Sequence, residues 1–351
     1  MPWLVTLIRG CFWSSCNAPM HAGSRSPGVR SMVDPEIRHM ISPRRLLFAL
    51  MFPLLTLAGL TARAATPIDE TRALDPRGRI EIENVKGVID VRAWDRDEVR
   101  IEGSLGKGAE RLEVKGDRGR LEVRVKYPAR SGFRLPFGNL STGSVPVEPS
   151  VLRLLVPLRA DLDISAVSAD ITVWGVAPAS LKIENVSGRT TVAAAPQRLE
   201  LDSVSGDADL TINRGDIDAQ SVSGDIHLSG RLGDEVALES VSGDVVVRVA
   251  DTPLRRFEGT TVSGDIDVST PLAVNARLTM ESVSGDIALR LPRQVSAEVR
   301  AESFSGHLSA PGATVQRPEH GPGSSLRQRY GDGKAEVSME TFSGDARLLL
   351  D

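Results

Sequence analysis

The side chains able to do chemistry in this chain are arranged in columns. Counted from a recurrent glycine, an aspartate follows at Asp170, Asp207, Asp225, Asp244, Asp265, Asp286 and Asp345. A second acidic column stands four residues before the glycine at Glu83, Glu184, Asp202, Glu239, Glu281, Glu302 and Glu340, interrupted by Gln220 and Thr260. Hydroxyls stand three before it at Ser203, Ser221, Ser240, Thr261, Ser282, Ser303 and Thr341. Stacked carboxylates could supply oxygens to calcium, which takes about six to eight of them. The ladder Asp207, Asp225, Asp244, Asp265 and Asp286 is the candidate for such a metal site. The glycine-rich nonapeptide with aspartate that marks calcium-binding β-rolls is absent, however, and turn capping explains the aspartates without a metal. The hydroxyl row would need a base within reach to be nucleophilic. Downstream of the leader the histidines are His227, His307 and His320, which share no pattern with it.

Carboxylates gathered on adjacent coils are also how β-helical enzymes cleave polysaccharides. The columns here are uniform, whereas an active site breaks its repeat locally. Aromatic platforms for sugar are also few: Trp94, Trp174, Tyr127, Tyr330 and five phenylalanines follow the leader. No catalytic residue and no cofactor is assigned. Recognition is expected instead in two irregular loops that bring positive charge to an acidic chain. One, Pro128 to Pro149, carries Arg130, Phe133, Arg134 and Phe137; the other, Pro311 to Lys334, carries Arg317, His320, Arg327, Arg329 and Tyr330. Both are read as projecting insertions, and deletion of Pro311 to Lys334 is expected to leave folding intact.

The elements that position these columns follow from the repeat. The string Ser-Val-Ser-Gly-Asp recurs, with glycines at Gly206, Gly224, Gly243, Gly264 and Gly285 and close variants at Gly188, Gly306 and Gly344. From Ala169 the successive spacings are 19, 18, 18, 19, 21, 21, 21 and 38, the last enlarged by the insertion before Lys334. Two residues before the glycine runs an apolar column, Val85, Val186, Val204, Val222, Val241, Val262, Val283, Phe304 and Phe342. Aliphatics recur two and four after it, the period of a strand with one buried face. Apolar residues five before it, such as Leu201 and Leu238, have the opposite parity to the valines, so the pleat changes phase at a corner. Glycine supplies unusual backbone angles there, and the aspartate bonds neighbouring amides. One repeat cannot bury its own apolar face, whereas stacked copies can.

The reading is an all-β, single-stranded parallel β-helix, or β-solenoid. Its coils are of about 18–21 residues, right-handed by the general preference of parallel crossovers, with the valines buried along a shared axis. Residues 161–351 form the coils and residues 65–160 an N-terminal antiparallel β region, continuous with them as one domain. The alternating segments Glu98-Val-Arg-Ile-Glu102, Arg111-Leu-Glu-Val-Lys115 and Arg120-Leu-Glu-Val-Arg-Val-Lys126 are expected to cover the first rung.

Ahead of this, Arg44 and Arg45, the apolar run Leu46 to Leu60 and Ala62-Arg63-Ala64 give residues 40–64 the order of a signal peptide. The run is too short and too broken by Pro53 and Gly59 for a retained span, and Leu57-Ala58-Gly59-Leu60 lacks the cysteine of a lipobox. Residues 1–39 show no periodicity and read as an upstream extension, with Met40 a plausible start. Cys11 and Cys16 are the chain's two cysteines, so the remainder has no disulfide framework. The 351 residues are 41% hydrophobic and 4% aromatic with a formal charge of −4, which provides an aliphatic core and no basic surplus for nucleic acid.

The opening Arg79-Ile-Glu-Ile-Glu-Asn-Val-Lys-Gly-Val-Ile-Asp-Val-Arg-Ala-Trp94, the triplet Leu155-Val-Pro157 and the Ser-Val-Ser-Gly-Asp ladder resemble a bacterial family of candidate adhesins. That family is built on a domain of unknown function with β-helical repeats, and the resemblance covers about residues 66 to 351. It implies an exported, non-enzymatic adhesin or structural and binding module of the cell envelope, in the periplasm or at the surface. Its partner would be a cell-surface glycan or envelope protein, with no nucleic acid and no membrane span after processing. A polysaccharide-active enzyme and a periplasmic accessory protein in envelope regulation are the alternatives.

Overall fold

A computed structural model describes residues 66–128, 132–135, 138–141, 147–249 and 251–351, within the compact unit Thr61–Asp351. The extension and leader read from the sequence, residues 1–39 and 40–64, lie outside the described residues. No α-helix occurs among the described residues, and hence none long and apolar enough to cross a membrane. Twenty-five strands join into one continuous sheet.

Beyond the first two coils, Arg79–Trp94 and Asp161–Trp174, in which one strand runs through the corner, each coil contributes two strands separated by it. Glu235–Ser240 and Val245–Val249 make one coil; Leu254–Thr261 and Ile266–Ser269 make the next. Corresponding strands pair in parallel with the repeat kept in register. Thus Leu201 meets Ala219, Ala219 meets Leu238, and Leu238 meets Gly259 on one wall. On the other wall Ala208, Ile226, Val245, Ile266 and Ile287 follow one another. The β-solenoid expected from the repeat is therefore present.

The core is aliphatic. In one coil Val236, Leu238, Val245 and Val247 are all fully buried, and each such side chain is worth roughly 1.5–3 kcal/mol. Phe257 is the one aromatic side chain in the buried core among the described residues. The valine column, in contrast, is not in it. Val222, Val241, Val262 and Val283 are half-buried, and Val204, Phe304 and Phe342 are 39%, 46% and 42% exposed. They do stack: the amides of Val222, Val241, Val262 and Val283 donate to carbonyls one coil back at 3.2–3.3 Å. They face outward because the strand keeps its alternation through the hydroxyl three before the glycine, and it is that hydroxyl which points in. The change of phase falls after it, inside the turn. A buried hydroxyl is tolerated because the turn satisfies it: Gly224, Gly243, Gly264 and Gly285 donate their amides to Ser221, Ser240, Thr261 and Ser282 at 2.8–3.0 Å.

The corner glycines also have a different cause from the one expected. Among the repeat glycines only Gly87 and Gly188 have positive φ, at 130° and 114°. Elsewhere the constraint is stacking: a Cβ on Gly264 would lie 2.1 Å from the carbonyl oxygen of Gly243, and one on Gly285 1.9 Å from that of Gly264. Glycine is needed so that successive turns can nest.

The coils do not stack wholly in sequence order. The last repeat, Ala335–Thr341 and Ala346–Leu350, lies between the coil of Leu272–Ser282 and Ile287–Leu291 and that of Ala297–Ser303 and Leu308–Ser309. The chain leaves a gap of one coil and returns to fill it. The Pro311–Lys334 insertion joins the coil of Ala297–Ser303 to the last repeat and is not a free loop. Its strand Ser324–Tyr330 pairs antiparallel with Ala297–Ser303 and closes that end of the sheet. At the other end Arg79–Trp94, the first coil, is covered by Arg120–Lys126 and Ser150–Pro157. These two run parallel to it, whereas Glu98–Leu105, Arg111–Gly116 and Thr66–Ala73 add the antiparallel pairing expected of the cap.

Candidate functional site

The corner of the coil presents four rows, and the structure separates those that hold the fold from those that face outward unoccupied by it. The aspartate row is structural in geometry. Asp225 accepts the amide of Asp244 at 2.9 Å, Asp244 that of Asp265 at 2.9 Å, Asp265 that of Asp286 at 2.8 Å, and Asp286 that of Asp345 at 2.8 Å. Asp345 continues the chain to the amide of His307 at 2.8 Å, which restates the swapped order of the last coils. That amide, with the Arg347 guanidinium at 2.6 Å, holds the Asp345 carboxyl below its ordinary range. At the start of the row Asp207 accepts the amide of Asp225 at 3.5 Å and pairs with Arg189 at 2.9 Å. One oxygen of each ladder carboxylate from Asp207 to Asp286 is thus engaged by backbone. Among the described residues no three His, Cys, Asp or Glu side chains converge as a metal-binding set.

The hydroxyl row serves the turns, and Ser203, Ser221, Ser240, Ser282 and Ser303 are buried. Asn185 takes the same place in its coil and donates to the carbonyls of Ala169 and Gly188 at 3.0 and 3.1 Å.

The acidic row faces outward on the first strand, two residues from the valines. Towards the N-terminal end it is neutralised: Glu83 meets Arg124 at 2.5 Å and Glu184 meets Lys182 at 3.1 Å. Lys182 also bonds Glu200 at 2.8 Å, and these carboxylates push its ammonium pKa up. Further along, partial burial raises the Asp202 carboxyl, with Glu200 and Glu184 adding to the rise against the opposing pull of Lys182. Glu239 is likewise raised, by burial first and then by Asp218 and Glu258. Negative charge therefore accumulates in the middle of this wall.

Between the acids and the corner runs the outward apolar column. It ends in the rings of Phe342 and Phe304, stacked at 4.6 Å and 6°. Sequence reading placed this column inside, because valine is more apolar than the serine beside it; the parity of Leu238 and Ser240 against Val241 was the signal that could have placed it outside. A second exposed group is Trp174, 60% exposed on the outer face of the other wall, where it pairs in register with Arg92.

The loop residues are placed unevenly. Arg130 and Phe137 lie outside the described residues, and Phe133 and Arg134 fall on a short hairpin, Gly132–Leu135 with Gly138–Ser141. In the second insertion Arg327 bonds Glu298 at 2.5 Å and the Tyr330 hydroxyl donates to the Pro311 carbonyl at 2.8 Å, so both brace the terminal cap. Arg317 and His320 are exposed, and Arg329 donates to the Asp332 carbonyl at 2.7 Å. Arg317 follows Val315–Gln316, which pairs antiparallel with Leu326 and Ser325.

A stack of parallel coils with nested glycine corners and an aspartate-to-amide ladder defines a β-solenoid repeat protein. Residues 78–349 match the family described as Toastrack DUF4097, and the chain belongs to that family. It is similar to solved structures of a candidate lipid-binding protein from Parabacteroides distasonis (14% identity, 80% of this chain and 96% of that one, TM-score 0.43) and a candidate adhesin from Parabacteroides merdae (12%, 81% and 96%, 0.42). A candidate adhesin from Bacteroides fragilis is comparable (11%, 82% and 98%, 0.40). No curated protein matches the chain.

Proposed function

We propose that this protein is an exported, non-enzymatic binding or structural module of the bacterial envelope, of the adhesin type. The observation that carries the reading is the use of the repeat's reactive groups. The hydroxyls are buried in turn hydrogen bonds, and the aspartates accept amides of the next coil. What remains outward is a regular surface of valines, acids and serines, suited to recognition along its length. The leader-like order of residues 40–64 supports export. Fractionation of cells producing the chain, with protease treatment of intact cells, tests location; a cytoplasmic, unprocessed protein would refute the proposal. Incubation with a panel of envelope polysaccharides tests the absence of catalysis, and release of reducing ends or unsaturated products would refute it.

A further inference from the structure

We infer that the outward column from Val204 through Val283 to Phe342 and Phe304 is a docking surface for a basic amphipathic helix. The inference rests on the binding-module reading and names the partner that the module's surface fits.

In a solenoid with a buried aliphatic core, an outward apolar residue in every coil needs no structural explanation in terms of that core. A single exposed valine is ordinary; a continuous row is a patch, and patches of that kind mark contact sites. Here successive members sit one coil apart, about 4.8 Å, and the row closes on the stacked Phe342 and Phe304 rings.

The borders of the row select the occupant. On one side, two residues along the strand, stand Asp202, Glu239, Glu281, Glu302 and Glu340, with uncharged Gln220 and Thr260 beside Val222 and Val262; on the other, past the serine and glycine of the corner, stands the aspartate ladder, acidic in every one of these coils but that of Phe304, where His307 takes its place. An apolar strip between an interrupted and a nearly continuous acidic row complements a strip of apolar side chains flanked by Lys or Arg. A second copy of this chain would bring acid against acid, and an anionic lipid surface would meet the same repulsion. Spacing favours a helix: one turn rises 5.4 Å against about 4.8 Å per coil, a drift of only ~0.6 Å per turn. A helix lying along the row therefore offers one apolar residue per coil over three or four turns, the helix-on-apolar-surface mode with anchors at i, i+3, i+4 and i+7. The raised carboxyls of Asp202 and Glu239 agree with a wall that a cationic partner would relieve.

The test uses a fluorescein-labelled 18-residue peptide with leucines in that pattern and lysines flanking them, titrated with the full chain and read by anisotropy. The inference expects saturable binding that weakens as salt is raised. It expects binding at least tenfold weaker for a scrambled peptide of the same composition, for the peptide with glutamates in place of lysines, and for the variant V222S/V241S/V262S. Val246→Ser, outward on the other wall, should bind as the unaltered protein does. If the serine variant fails to fold by circular dichroism, V222T/V241T/V262T replaces it. Equal binding by scrambled and patterned peptides, or by altered and unaltered column, overturns the inference. So does saturable binding of phosphatidylglycerol vesicles, or self-association in sedimentation, that the column variant abolishes. Adhesion of the unaltered chain to envelope fractions that survives the column substitutions removes this inference and leaves the module; adhesion to none removes the module itself.

Discussion

Replacing Gly264 by alanine isolates the nesting of the corners from every other role of glycine. Gly264 is not among the glycines with positive φ, so alanine is not forced into the left-handed region there. Its Cβ would nevertheless sit 2.1 Å from the Gly243 carbonyl oxygen and 2.6 Å from its carbon. Relief to ordinary contact needs about 1 Å of separation between two coils. The hydrogen bonds bridging them at this corner are short: Ser263 N to Val241 O at 2.9 Å, Asp265 N to Asp244 Oδ1 at 2.9 Å and Val245 N to Asp265 O at 2.8 Å. An added ångström carries all three past bonding distance. At about 1 kcal/mol net for each, the substitution costs about 3 kcal/mol, the upper part of the range for overpacking. Urea unfolding followed by circular dichroism measures this against Ser263→Ala, an exposed neighbour expected to change stability by no more than about 0.5 kcal/mol. A Gly264→Ala protein as stable as Ser263→Ala would refute the idea that close approach of turns selects glycine.

Ser240→Ala leaves the buried Gly243 amide without its 2.9 Å acceptor and is expected to cost about 1–3 kcal/mol, whereas Ser240→Thr, the residue found at position 261, should be mild; urea midpoints compare the two. Glu239 is raised in the folded protein, so it opposes folding once ionised: stability is expected to fall as pH rises from the unfolded carboxylate range, about 4.3, through the folded value. Glu239→Gln should therefore be more stable than the unaltered protein at neutral pH and lose that advantage below about pH 4, as thermal unfolding across pH would report. Deleting Pro311–Lys334 removes the strand on the outer edge of Ala297–Ser303, and size-exclusion chromatography is expected to show oligomers rather than a well-behaved monomer, since an open edge pairs with other chains.

The repeat made the coils legible because its columns are periodic: the glycine spacing, the aliphatics after the corner and the aspartate's bond to the neighbouring coil all follow from local pattern. Orientation at the corner was harder. Hydropathy favours burying Val241 over Ser240, whereas alternation from Leu238 favours Ser240; the pattern holds both signals, and the turn hydrogen bond from Gly243 to the serine decides between them. The swapped last coil was equally hidden. Ala335–Thr341 looks like Ala297–Ser303 in sequence, and either could stack on Leu272–Ser282, so the repeat pattern alone does not order them. Of the surface, the acidic row is legible in the sequence, whereas the outward apolar row beside it reads as core; the bonds of Arg327 to Glu298 and of Tyr330 to the Pro311 carbonyl join elements far apart in the sequence and are not readable from it.

The stacking order and register of the coils underlie everything else, and pairwise cysteine cross-linking measures them directly. On a background with Cys11 and Cys16 replaced by serine, Val283→Cys with Phe342→Cys places two thiols on adjacent coils, about 4.8 Å apart at Cα and within disulfide reach. Val283→Cys with Phe304→Cys places them two coils apart, about 10 Å, beyond it. Rapid disulfide formation in the first pair and none in the second is the predicted result; the reverse would show coils stacked in plain sequence order and contradict the account.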